Sequence, residues 1–331
     1  MHVLIIGGTR FVGYLLTWRL LAEGHSVTLL HRGTAADPFG NRVRHLRGDR
    51  TTDAFPYLLR GQHFDAVVDF AAYTGADASR SVEVFSGNVG HYIFISTGQV
   101  YLVRVGCPMP ARESDYSGPV MPDPGRDSSD YKDWLYGIDK RAAEDTLAQA
   151  FATSGFPATR IRIPMVNGER DYYRRIESYL WRILDGGPIL VPDGGQCICR
   201  HVYGQDVAAA IASMLGNSAT FGVAYNLCQD EEPTLNDLLN LLAESLGAKA
   251  TLMPVSEAAL AGHGLKPKMI SPFSDRWMSR LDPSLAKHEL KFNHRPLRSY
   301  LENIIACFLA HPPANPPENY AHRPLELELA R

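Results

Sequence analysis

The sequence predicts an α/β protein in which a doubly wound parallel sheet is followed by a smaller C-terminal α/β lobe. Three observations carry this reading. First, the apolar, partly β-branched run Val3-Leu4-Ile5-Ile6 breaks into Gly7-Gly8, and apolar residues then recur at Val12, Leu15, Leu16 and Leu20. That is the pattern of a buried strand, a glycine turn and an amphipathic helix. Second, short apolar runs alternate with helical stretches to about residue 165. Such alternation builds a parallel sheet whose ligands bind outside the carboxyl ends of its strands. Third, the alternation thins after residue 165, so residues 1–165 read as the doubly wound domain and 166–331 mainly as a further lobe and a C-terminal tail.

The first turn sets the chemistry. Glycines there let the backbone approach a pyrophosphate, and the following helix offers unpaired N–H groups to that anion. Gly7 and Gly13 stand at the outer places of a GxxGxxG turn with Arg10 in the middle. Gly7, Thr9, Arg10, Phe11, Val12 and Gly13 are therefore candidate cofactor contacts. A long cation at position 10 can reach a phosphate; the plain alternative is a solvated surface arginine.

Gly24 stops the first helix, and Ser26 to Leu30 reads as the second strand, running into His31-Arg32-Gly33. An acidic residue at this strand end selects a free ribose 2′-hydroxyl, whereas an arginine accommodates a 2′-phosphate. Here Arg32 is present and no acid is, which favours NADP(H) over NAD(H) unless Arg32 is merely a loop cation. Val43 to Leu46 is a third strand leading to Asp49, which either accepts from an adenine amino group or caps an ordinary turn. Phe64 to Ala72 is the fourth strand. Its small end residues Ala71 and Ala72 leave room for a cofactor, although they also suit plain packing. A helix over 76–87 and a fifth strand, His91 to Ile95, follow.

The fifth strand runs into Ser96-Thr97-Gly98-Gln99-Val100-Tyr101, and Tyr136 and Lys140 lie four apart in a helical pattern over Asp133 to Ala143. Residues at that spacing share a helix face. A nearby ammonium favours phenolate, so Tyr136 can exchange a proton with a substrate oxygen while Thr97 hydrogen-bonds the same atom.

These residues resemble the extended short-chain dehydrogenase/reductases of the NAD(P)-dependent epimerase/dehydratase group, over about residues 1 to 250. The resemblance rests on the N-terminal glycine turn, the Ala71-Ala72 strand end, Ser96-Thr97-x-x-Val100-Tyr101, the Tyr136-x-x-x-Lys140 pair and Asp206-Val207-Ala208. It implies an NAD(P)-binding Rossmann-type sheet over 1–165, to which strands beyond 165 can return, a substrate-binding lobe mainly within 166–331, and a catalytic set of Thr97, Tyr136 and Lys140. Lys140 would hold the nicotinamide ribose and tune Tyr136. Arg162, Pro164, Met165, Val166 and Gly168 match the family's Arg-x-Pro-Met-Val-Tyr-Gly variant, with Asn167 for Tyr, and bring Pro164 towards the nicotinamide.

Departures from the family pattern narrow the activity. The Gly-Gly-Thr-Arg-Phe-Val-Gly turn looks like an atypical branch that includes chloroplast stem-loop-binding proteins. Gly98 and Gln99 stand where sugar-nucleotide 4,6-dehydratases carry an Asp-Glu pair, which disfavours that dehydration. Gln99 and Arg200 are the candidate substrate residues. Sugar-nucleotide epimerases place an arginine on the diphosphate near position 200, but Arg200 is one residue out of step, and a one-residue slip reverses the face of a strand. A structural salt bridge is the alternative.

The segment from Val103 to Ser129 is rich in Pro, Gly, Ser and Asp, as an active-site cover or a surface excursion would be. Further elements are a strand over Ala158 to Pro164, a helix over Tyr172 to Leu184, a strand over Cys197 to Val202, and helices over Thr234–Gly247 and Leu297–Leu309. Thr234 and Asp237 stand close to a capping box. The Pro-rich tail either wraps the body, reaches a partner subunit or stays loose.

A net charge of -3 over 331 residues gives no global attraction to nucleic acid or anionic membranes. Five cysteines without CxxC spacing favour reduced thiols over disulfides or zinc, although Cys197 and Cys199 would share a strand face. No apolar run reaches membrane-spanning length, and no signal-peptide pattern opens the chain, so a cytoplasmic location is expected. The expectation is an NAD(P)-dependent epimerase or carbonyl reductase acting on a small molecule, with a nucleotide sugar implied by resemblance. No membrane or nucleic-acid partner is expected, and a homodimer is compatible. The competing readings are a ketone reductase of specialised metabolism and a non-catalytic or RNA-associated scaffold.

Overall fold

The computed structural model describes residues 1–35 and 38–331. In chain order the elements are β1 (His2–Ile6), α1 (Phe11–Ala22), β2 (Ser26–His31), β3 (Arg44–Arg47), α2 (Ala54–Leu59), β4 (Ala66–Asp69), α3 (Gly75–Phe85), β5 (Tyr92–Thr97), α4 (Gln99–Leu102), α5 (Tyr131–Ser154) and β6 (Ala158–Ile163). There follow β7 (Val166–Asn167), α6 (Arg175–Leu184), β8 (Ile189–Pro192), β9 (Val202–Tyr203), α7 (Gly204–Met214), β10 (Ala224–Asn226), α8 (Leu235–Ser245) and β11 (Leu252–Val255). The last helices are α9 (Glu257–Gly262), α10 (Pro267–Ile270), α11 (Ser284–Glu289), α12 (Leu297–Ala310) and α13 (Arg323–Leu329).

The chain folds as two compact units. The first comprises Met1–Pro164, Gly204–Cys228 and Leu281–Asn293. Its seven-stranded sheet has the order β10-β6-β5-β4-β1-β2-β3, and every neighbouring pair is parallel. This is the Rossmann-type doubly wound sheet. The strand order reverses between β1 and β4, so the crevice that receives ligands in such sheets opens at their carboxyl ends. The strands are apolar on both faces because helices cover both. α3 and α5 pack together on one side, where Phe55, Phe64, Phe85, Tyr92 and Phe94 build the core, and α1 packs with α7 on the other.

The second unit comprises Met165–Tyr203, Gln229–Arg280 and His294–Arg331. Its parallel strand pairs are β7 with β9 and β8 with β11. Leu238, Leu239 and Leu242 of α8 pack with Leu301 and Ile304 of α12, as their apolar stripes imply. The Thr234–Asp237 capping box is formed in full.

Two sequence expectations need correction here. The helix expected over 172–184 begins only at Arg175, because Arg174 is left-handed (φ 54°) and Asp171 accepts the N–H groups of Tyr173 and Arg175, each at 3.1 Å. The strand expected over 197–202 is reduced to Val202–Tyr203, with only an isolated bridge between Ile198 and Thr234 upstream. Arg200 therefore lies outside any strand, and alternation of strand faces does not govern it. The segment after Val103 is tied into the first unit by bridges Arg104–Val120 and Ala111–Leu281. The tail packs within the second unit, with the fully buried Arg182 ion-paired to Glu326 of α13.

Candidate functional site

The glycine turn is built by close approach. Gly7 is left-handed (φ +88°), a conformation that L side chains resist. A Cβ on Gly13 would lie 2.8 Å from the Gly7 oxygen and 2.9 Å from Gly8 Cα, so α1 starts pressed against the turn. A Cβ on Gly8 would meet Leu29 at 2.7 Å and Ile5 at 2.9 Å. Thr17 locks the arrangement by donating to the Gly13 carbonyl at 2.7 Å. Arg10 occupies the N-cap in extended conformation without a side-chain cap bond, no acid stands in the first turn, and Phe11 opens α1 at φ 40°. Val12 is buried beneath the turn, while Thr9 and Phe11 are half-buried and Arg10 is exposed. Glycines a Cβ would fill, together with a helix N-terminus lacking an acidic cap, fit a dinucleotide pyrophosphate.

At the adjoining strand ends, Arg32 Nη1 lies 4.0 Å from Asp49 Oδ2, with the Arg32 side chain largely exposed. Asp49 also closes its own turn. The backbone N–H and hydroxyl of Thr51 donate to its Oδ1 at 2.9 and 2.8 Å and hold its carboxyl below the ordinary range.

The end of β4 carries a feature that apolar periodicity does not show. Asp69, fully buried, accepts the N–H groups of Ala71 (2.8 Å) and Ala72 (2.9 Å) on Oδ1. Its Oδ2 takes the Tyr92 hydroxyl at 2.7 Å and an ion pair from buried Arg50. Arg50 also donates to the Asp77 carbonyl (2.8 Å) and Ser81 (2.9 Å). The turn fixed in this way points the Ala72 carbonyl at Lys140, whose Nζ donates to it and to the Ile95 carbonyl, both at 2.8 Å.

Lys140 is almost wholly enclosed, with its ammonium 4.8 Å from the Tyr73 ring centroid and 4.6 Å from that of Phe94. Burial pulls its pKa down to about 8, against the opposing pull of Asp69 and Glu144. The Tyr73 ring stands 6.1 Å from that of Tyr136, so it spans the two helix-borne residues. Tyr73, Asp69, Arg50 and Glu144 are the site residues that the sequence pattern does not single out. Only Glu144 leaves a signal, since Tyr136, Lys140 and Glu144 recur every four residues on one face of α5.

Thr97 ends β5, and its hydroxyl oxygen accepts the Gln99 N–H at 3.2 Å, leaving its own proton to donate elsewhere. The Gln99 side chain donates to the Asp133 carbonyl at 3.2 Å, which ties α4 to the start of α5. Gly137 permits that contact, because a Cβ there would lie 2.6 Å from Val103 Cγ1 and 3.0 Å from the Gln99 oxygen. Tyr136 is thereby brought beside the β5 end. Gly98 donates to the Ile163 carbonyl at 2.8 Å, which draws the same loop to the residue before buried Pro164.

Beneath these groups, Glu144 accepts the Ser96 hydroxyl at 2.5 Å and a bidentate pair from Arg162, Nη2 at 2.6 Å and Nε at 3.0 Å. Burial opposes its charge, but Arg162 prevails and holds the carboxyl below the ordinary range.

In the second unit, Arg200 donates to the Gln229 carbonyl at 3.0 Å and pairs with Glu232 at 3.1 Å. These are the contacts of a structural salt bridge. Cys197 has its thiol pulled to about 7 by a hydrogen bond with Cys199, whose own thiol is pushed up by the same contact and by burial. Among the described residues no group of three or more His, Cys, Asp or Glu is gathered as a metal site requires, and no helix is long and apolar enough to cross a membrane.

A family model described as the NAD dependent epimerase/dehydratase family matches residues 3–228. The chloroplast stem-loop binding protein of 41 kDa b from Arabidopsis thaliana is 28% identical over 260 residues, covering 74% of this chain and 63% of the plant protein. The chain thus spans less than two thirds of that relative. The 2'-dehydrokanamycin reductase of Streptomyces kanamyceticus is 26% identical over 252 residues, covering 75% of this chain and 67% of the reductase. Among solved structures, dTDP-glucose 4,6-dehydratase from Bacillus anthracis in complex with NAD superposes with a TM-score of 0.73 at 15% identity, over 94% of this chain and 97% of that one. At that identity the likeness shows the fold.

Proposed function

The chain belongs to the NAD dependent epimerase/dehydratase family, and from that premise we propose that it is an NAD(P)-dependent oxidoreductase working on a carbinol or carbonyl carbon of a sugar-class substrate, as a reductase or an epimerase. The observation that carries the proposal is the enclosed Lys140 ammonium, held by the Ala72 and Ile95 carbonyls and by the Tyr73 ring that also meets Tyr136, in a unit whose first turn fits a dinucleotide pyrophosphate. When bound, the dinucleotide supplies hydride transfer at C4 of its nicotinamide. The chain's own residues supply the rest. The Tyr136 hydroxyl exchanges a proton with the substrate oxygen, and the Lys140 ammonium favours the phenolate form that accepts it. Thr97, its acceptor lone pair engaged by the Gln99 N–H, donates to the same oxygen. Gly98 and Gln99 offer no acid or base for removing water, so 4,6-dehydration is not part of the proposal.

The cations at Arg32 and Arg10 support NADP(H) as the preferred dinucleotide. The similarity to 2'-dehydrokanamycin reductase supports the substrate class. The first experiment denatures the purified protein to identify any released nucleotide and titrates the stripped protein with NADH and NADPH. A tightly held stoichiometric nucleotide supports an epimerase, and reversible NADPH binding supports a reductase. Binding of neither overturns the proposal. With keto-sugars, free and nucleotide-linked, as substrates, Tyr136→Phe is expected to lower turnover by about 100-fold or more while NADPH affinity stays unchanged. Wild-type turnover in that variant removes Tyr136 from the mechanism.

A further inference from the structure

Lys140 hangs from two backbone carbonyls on neighbouring strand ends, Ala72 after β4 and Ile95 in β5. Each carbonyl is seated by a buried carboxylate. Asp69 closes the turn that presents Ala72, through the N–H groups of Ala71 and Ala72. Glu144 takes the hydroxyl of Ser96, the residue next to Ile95. Each carboxylate has its own arginine, Arg50 for Asp69 and Arg162 for Glu144, and these four side chains are between 0% and 5% exposed. Burying ion pairs is costly, and a core that only needed filling would be served as well by apolar side chains. Both pairs lead to the same ammonium.

We propose that Arg50–Asp69 and Arg162–Glu144 are a positioning frame for Lys140 that fixes its ammonium in place and keeps it charged. The proposal rests on the reading of Lys140 as the cation that holds the nicotinamide ribose and keeps Tyr136 competent. Neither Asp69 nor Glu144 is a catalytic residue in this scheme, since each works through Lys140. The charged groups facing Lys140 are Asp69 from β4, Glu144 from α5, Asp77 from α3 and Arg50 from the loop after β3, with the rings of Tyr73 and Phe94 closing the remaining sides. The three carboxylates favour the ammonium, whereas Arg50 and burial oppose it. Neutralising Asp69 removes a favourable charge and leaves Arg50 with Asp77, at 3.6 Å, as its remaining carboxylate, so the local balance moves towards the neutral amine of Lys140.

The test follows the ionisation of Lys140 itself, by NMR of protein carrying ε-13C-lysine. The other lysines are exposed, and Lys140→Met identifies the signal. Lys140 is expected to titrate near 8 in the native protein. In Asp69→Asn and in Glu144→Gln the midpoint should fall by about one pH unit or more. The pH at which NADPH affinity declines should move down with it. A purely structural role would lower stability without moving either midpoint. Where a single variant fails to fold, Glu144→Gln with Arg162→Gln removes the pair without stranding a charge, and a smaller downward shift is expected. An unmoved Lys140 midpoint in variants that fold overturns the frame. Failure of the native protein to bind either dinucleotide overturns the functional reading instead, and the lysine titration still decides the frame.

Discussion

Lys140 is kept as an ammonium in a place that disfavours one. A fall of its pKa from the ordinary 10.5 to about 8 corresponds to about 3 kcal/mol of unfavourable folding free energy while the side chain is charged. Between those two values the unfolded chain holds more of the proton, so this penalty is present in full below pH 8 and fades as pH rises towards 10.5. Removing the charge in Lys140→Met should therefore bring a gain of about 3 kcal/mol at neutral pH, set against about 1–3 kcal/mol for each of the Ala72 and Ile95 carbonyls that loses its donor. Urea unfolding of both proteins at neutral and at alkaline pH checks this, and the gain should shrink at the higher pH. A gain that does not change with pH would show that the charge is not its source. Tyr136 and Lys140 were legible because a four-residue spacing is a local property of a helix. Asp69 was not, since its partners Arg50 and Tyr92 lie 19 and 23 residues away and its own neighbours spell an apolar strand.

At the level of elements, the strand–turn–helix at the N-terminus was readable because glycine spacing and apolar periodicity describe the same object. Gly13 shows how tight that object is. Gly13→Ala places a methyl 2.8 Å from the Gly7 carbonyl, where backbone rather than a yielding side chain must give way. A loss of about 2 kcal/mol or more is expected, read as a lowered urea midpoint together with weakened NADPH binding. An alanine variant with native stability would mean that α1 can slide off the turn. Helix α5 extends well beyond the 133–143 pattern, because its later turns alternate contact with the sheet and with solvent. The segment 197–201 was misread for a different reason. Its residues have strand character, but Ile198 meets only Thr234 across an isolated bridge, and a strand exists only where a second one runs alongside. Arg174 defeats the helix pattern before α6 through a left-handed backbone that local periodicity does not encode.

On the scale of the whole molecule, the first six strands of the sheet were legible, whereas its seventh, Ala224–Asn226, and the second unit were not. The sheet follows from alternation, whereas the second unit is assembled from three separated segments. Its tail illustrates the difficulty. A Pro-rich stretch is silent about its destination, yet Glu326 beyond it enters the unit and meets Arg182, which also donates to Ser178 and the Asn319 carbonyl and lies over the Tyr320 ring. Glu326→Ala would strand that guanidinium and should cost about 3–5 kcal/mol, measured by urea unfolding. A loss below about 1 kcal/mol would mean that water reaches Arg182. The edge strand β10 pairs with β6, although the whole first segment of the second unit separates them in the chain. Synthesis on the ribosome is vectorial, so strands β1 to β6 emerge while one flank of β6 still waits for residues 224–226. Until then the nascent polypeptide displays an unpaired edge to its neighbours on the polysome. The interval of greatest exposure to aggregation is thus set by the order of the chain, whatever the stability of the finished molecule.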